Sequence, residues 1–169
     1  MTTKTLLSAT LGVLALASCA TREISPMPFA SATDCFYPAC AIDVEVVQEG
    51  GARKLKIAND GNVRMGTRQR LTAIVWNMKT PGYEFRGDSV LPHRSSTPGA
   101  PKTPDGLWDR QIAPHAWWWH SYSVTDFNTE PGILYYELTV YPERAADGEP
   151  ITVTRAIMND PGPHPQRRQ

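Results

Sequence analysis

The sequence predicts an all-β protein, an antiparallel sandwich of about seven strands, on three observations. Short runs alternate apolar and polar residues, as with Ile42, Val44 and Val46 against Asp43 and Glu45, which is the two-residue period of a half-buried strand. Fifteen prolines and twelve glycines among 169 residues cut the chain into pieces too short for long helices. Beyond the first 18 residues, no segment shows the three-to-four spacing of an amphipathic helix.

Taken in order, residues 42–46 form the first predicted strand. Gly50-Gly51 then turns the chain into Leu55 and Ile57, alternating with Lys54 and Lys56, which makes a hairpin that stops at Asn59-Asp60-Gly61. Residues 70–78 carry apolar bulk on both faces and read as a central strand. Pro81-Gly82 leads into Tyr83-Glu84-Phe85. Residues 86–110 hold four prolines and three glycines and read as one long loop, a candidate site because loops of this length are often functional. Residues 115–124 read as a single aromatic strand, followed by strands at 133–141 and 151–158. The remaining segments are predicted to be a signal peptide (1–18), a flexible tether (19–34) and a disordered tail (161–169) around one domain at 35–160.

Charge excludes one class of partner. The 17 basic and 17 acidic residues are interspersed, so nothing supplies the basic stripe that nucleic acid requires. Cys35 and Cys40 form an even pair and are expected to be disulfide-bonded if the chain is exported. Their short ring contributes about 2 kcal/mol by loop entropy. So close in sequence, they are not expected to bridge two sheets.

Trp117, Trp118 and Trp119 are the strongest candidate binding surface, with Trp108 nearby in the loop. In one extended strand, Trp117 and Trp119 share a face with His115, and Trp118 shares the other with His120. Only one face can point into a core. Either the 86–110 loop covers the remainder, or exposed indoles are left to bind a protein or a glycan. His93, His115 and His120 are weak candidates for Zn or Cu; a regular strand places the last two on opposite faces. No metal or other cofactor is expected. Carboxylates such as Asp105, Asp109 and Asp126 could approach one another as an acid/base pair, yet nothing in the sequence requires it, and loop aspartates more often cap turns. No nucleophile elbow, metalloprotease helix or phosphate loop is present, so no catalytic residue is assigned.

The first residues carry an address. Lys4 precedes an apolar run from Leu6 to Ala17, too short to span a bilayer, and Leu16-Ala17-Ser18-Cys19 closes it. This stretch resembles a bacterial lipobox, which implies removal of residues 1–18 and lipidation of Cys19. Ala20 in the second mature position then implies sorting to the outer membrane, facing the periplasm.

Residues 121–141, with Pro131-Gly132 before Tyr136-Glu137-Leu138-Thr139-Val140, are similar to the end of a fibronectin type III domain. Ile74-Val75-Trp76 resembles an early core strand of that immunoglobulin-like family. More of the chain, from Cys40 to Asp160, resembles small exported bacterial proteins of unassigned function, through Ile74-Val75-Trp76, Pro81-Gly82-Tyr83-Glu84-Phe85 and Met158-Asn159-Asp160. These resemblances imply a single exported sandwich and supply no activity. The expected function is a non-enzymatic interaction or structural module of the envelope. The alternatives are a carbohydrate or peptidoglycan binder using the tryptophans and a metal-binding protein using the histidines.

Overall fold

A computed structural model describes residues 31–36, 38–66 and 71–160, with backbone only at Pro114 and His115. The signal segment, Cys19, residues 20–30 of the tether and the 161–169 tail lie outside the described residues. The described chain forms β1 (Thr33–Cys35), β2 (Ala39–Glu49), β3 (Ala52–Ile57), β4 (Val63–Met65), β5 (Thr72–Met78), β6 (Tyr83–Glu84) and β7 (Val90–Pro92). After a short helix, α1 (Leu107–Gln111), come β8 (Ile112–Trp118), β9 (Ser121–Asp126), β10 (Gly132–Pro142) and β11 (Ile151–Asn159).

The strands pair into two sheets, ordered β1-β4-β11-β10-β6, with β7 also on β10, and β3-β2-β5-β9-β8. The sheets pack face to face over one core, so the expected sandwich is observed. Trp76 from the second sheet and Tyr136 from the first meet at its centre with ring centroids 5.4 Å apart. The Trp76 indole N–H donates to the Tyr136 hydroxyl at 3.3 Å, joining the two layers through a satisfied polar contact. Above and below them Ile42, Ile74, Leu134 and Leu138 are fully buried.

The fold departs from the expected one in strand number and direction. The Gly50-Gly51 hairpin is as predicted, with φ of 59 and 81 at the two glycines, the primed turn geometry that glycine permits. After β3, however, the chain crosses to the first sheet as β4 and returns beside β2 as β5. That crossover makes β2 and β5 parallel. The pairs β1–β4 and β4–β11 are parallel as well.

Two further readings change. Thr33 and Asp34 belong to β1 rather than to a tether, held by the Thr33 N–H on Asn62 O at 2.8 Å. The Cys35–Cys40 disulfide, with Cα atoms 5.1 Å apart, links β1 of one sheet to β2 of the other. The two cysteines therefore do bridge the sheets, because the chain passes from one layer to the next within that five-residue interval.

Candidate functional site

Residues 115–124 are the turn of a hairpin rather than one strand. β8 pairs only with β9, with Trp117 opposite Tyr122 and Trp118 opposite Ser121, which leaves Trp119 and His120 as a two-residue loop. Neither loop residue has the positive φ that favoured hairpin turns use. Tertiary bonds hold the loop instead: the Phe85 N–H donates to Trp119 O at 2.8 Å and the Met78 N–H to His120 O at 2.9 Å. With both loop carbonyls fixed to the sandwich, the side chains are directed outward.

All three indoles are consequently exposed, Trp117 at 51%, Trp118 at 71% and Trp119 at 70%. Trp117, opposite the buried Tyr122, lies on the core-facing side of an edge strand and is half exposed there. Trp118 lies on the outer face. With His120 and Ser121 they line an open hollow of about 530 Å³. This resolves the choice between a covered and an exposed aromatic run. The 86–110 segment does not cover them because it is used elsewhere: β7 pairs with β10, the His93 N–H donates to Tyr135 O at 2.7 Å, and the Thr103 N–H donates to His93 O at 2.9 Å.

Trp108 must be removed from the binding surface. It lies in α1 at 8% exposure within the core cluster, because the helix folds its Leu107 and Trp108 side chains under the sandwich.

The segment Glu84 to Asp88 runs beside the hairpin, a placement not legible in the sequence. Phe85 points into the core, 6.3 Å from the Tyr122 ring centroid, and Gly87 stands where an added Cβ would lie 3.6 Å from Trp117 Nε1. Arg86 Nε donates to Glu84 Oε1 at 2.8 Å, and the guanidinium lies 4.5 Å over the Tyr141 ring. The Tyr141 hydroxyl donates to Asp88 Oδ2 at 2.9 Å, and the Tyr122 hydroxyl donates to Gly87 O at 3.1 Å. Burial and then the Asp88 charge push the Tyr122 hydroxyl above the usual phenol range. The alternation of Glu84, Phe85 and Arg86 was the available signal that two charges face outward here. Nothing in the sequence could have placed Gly87, between Arg86 and Asp88, against Trp117.

The histidines are not brought together. His93 is buried along β10, with Nδ1 2.9 Å from Glu137 Oε1; His120 is exposed at the hairpin loop. The His115 side chain lies outside the described residues. Among the described residues, no three His, Cys, Asp or Glu side chains form a metal-holding group. Nor do the three aspartates meet as an acid/base pair. Asp105 and Asp109 are exposed, whereas Asp126 is fully buried, with Oδ1 accepting from Asn128 N at 2.7 Å and Asn159 Nδ2 at 3.1 Å.

No protein-family profile matches the chain, and no curated protein matches it. Among solved structures it is similar to a reduced rusticyanin at 12% identity, covering 81% of this chain and 88% of that chain, with a TM-score of 0.30. So loose a likeness transfers no residue role.

Proposed function

We propose that this protein is a lipid-anchored module of the bacterial envelope that recognises a partner through its tryptophan hairpin. Cys19 carries the lipid that holds the domain to the membrane, and the sandwich faces the periplasm from the outer membrane. One observation supports recognition above all. Three exposed indoles lie at the end of β8 and in a loop whose carbonyls are fixed by Phe85 and Met78, so the backbone that carries the aromatic surface is held in shape before anything binds. A loop already ordered in this way loses little backbone freedom on association, which favours binding.

Two measurements test the two halves. Metabolic labelling with a palmitate analogue should mark the wild-type chain and leave Cys19→Ala unlabelled; label on both, or on neither, would remove the anchor. A photo-crosslinking residue at position 118 in the full-length protein in cells should give a defined envelope adduct. The same residue at Lys56, on a different strand, should not. Equal adducts at the two positions would dismiss the hairpin as the recognition surface.

A further inference from the structure

The hairpin's neighbours narrow the chemistry of what it binds. We infer that the occupant is an uncharged pyranose glycan, its ring faces stacked on Trp118 and Trp119 and its hydroxyls met by Asp88 and Arg86 beside Trp117. The inference rests on the hairpin being the recognition surface.

The area of the indoles favours a small occupant. At their observed exposures the three indoles offer on the order of 500 Å² between them, about three-fifths of the ~800 Å² that each partner of a stable protein pair buries. A second copy seated on this patch alone would be held weakly. A sugar chain of two or three rings matches the area, and the hollow is lined almost wholly by indole, which suits the C–H faces of pyranose rings.

Charge decides against the other small-footprint occupant, a bilayer surface. The strip alongside the indoles carries Glu84, Arg86 and Asp88, two carboxylates to one guanidinium. Sinking Trp117 and Trp119 into headgroups would bring those carboxylates to an anionic surface and strip their water. Sugar hydroxyls reward the same arrangement, since a carboxylate accepts and a guanidinium donates, and few well-placed polar groups beside aromatic walls are what orient a small ligand. Asp88 and Arg86 are moreover held in place, the first by the Tyr141 hydroxyl and the second by Glu84 and the Tyr141 ring. With Arg86 paired to Glu84 and Asp88 adding a second carboxylate, the strip is net negative and disfavours an anionic polymer, hence the uncharged class.

The test is a titration of the full-length chain in mild detergent, read by tryptophan emission and calorimetry. The probes are cellotetraose, the β-linked N-acetylglucosamine tetramer, and phosphatidylethanolamine/phosphatidylglycerol vesicles. Saturable binding of either tetramer is expected, weakened on the order of tenfold by each of Trp118→Ala and Trp119→Ala, and several-fold by Asp88→Asn. Circular dichroism of each exposed-site variant should match wild type. Vesicles that shift the emission while neither sugar binds up to 10-millimolar order would overturn the glycan and retain the hairpin as a recognition surface. Sugar binding unchanged by Asp88→Asn and Arg86→Gln together would overturn the polar half of the site. No response to sugars or vesicles, combined with equal crosslinking at positions 118 and 56, would end both readings.

Discussion

At the scale of single residues, Asp126 is the most consequential side chain outside the hairpin. Its carboxyl is fully buried, and while Oδ1 accepts two bonds, Oδ2 has no hydrogen-bond partner among the described residues. Burial pushes its pKa up to about 6, against the opposing pull of the Asn128 and Asn159 bonds. Because the folded value lies above the unfolded one, 3.8, the group's contribution is complete below about pH 4. It is lost as pH rises through 6. The full span is about 3 kcal/mol, roughly half of it regained on acidification to pH 5. Urea midpoints of the wild type should therefore carry a component that rises from pH 7.5 to 5, the reverse of a salt-bridged carboxylate. Asp126→Asn keeps an oxygen for both donors and removes the charge, so it should flatten that component and raise stability at pH 7.5. A variant with the wild-type slope would show that Asp126 is not the titrating group. The sequence showed an aspartate at the end of a strand and nothing of its burial. That burial is set by β11, which brings Asn159 against it from another sheet.

At the scale of elements, legibility followed the local signals. The β2–β3 hairpin was readable because Gly50-Gly51 supplies the backbone freedom its turn requires. The strand at Ile74-Val75-Trp76 was readable from bulk on both faces. The β8–β9 hairpin was not, since Trp119 and His120 are no turn formers and only the distant N–H groups of Phe85 and Met78 close it. The 3-10 turn after β3 is a locally coded case that can be tested. Gly61 has a φ of 73, and an added Cβ would stand 3.1 Å from both Arg155 Cγ and Ile57 Cγ2. Its carbonyl also accepts the Tyr136 hydroxyl, so displacement there would disturb the contact that joins the layers. Gly61→Ala should cost about 2 kcal/mol, from the left-handed backbone and the crowding together. A denaturation midpoint unchanged from wild type would contradict that account. Gly50→Ala, with open space around it, should cost only the backbone share.

At the scale of the whole molecule, stability should be graded from the centre of the sandwich outward. β10 is paired to β11 along one edge and to β6 and β7 along the other, and β5 lies between β2 and β9. Amides of Leu134–Val140 and Ile74–Trp76 should therefore exchange with deuterium slowest. Residues 94–102, which contribute no strand, should exchange faster by on the order of a hundredfold or more. Uniform protection across these segments would mean that the molecule opens only as a unit. The same architecture places the aromatic surface. β8 is an edge strand, so its core-facing Trp117 stays half exposed, and Trp118 on the other face is more exposed still.

The alternation of apolar residues, the glycine turn and the cysteine pair determined by themselves that this chain is a disulfide-bonded β-sandwich, because strand period and turn chemistry are encoded within a few neighbouring residues. The exposure of Trp117, Trp118 and Trp119, the burial of Trp108 and Asp126, and the charged strip beside the hairpin were decided only in three dimensions. Each depends on which distant segments pack together across the two sheets, and contacts between residues tens of positions apart leave no local periodicity to read.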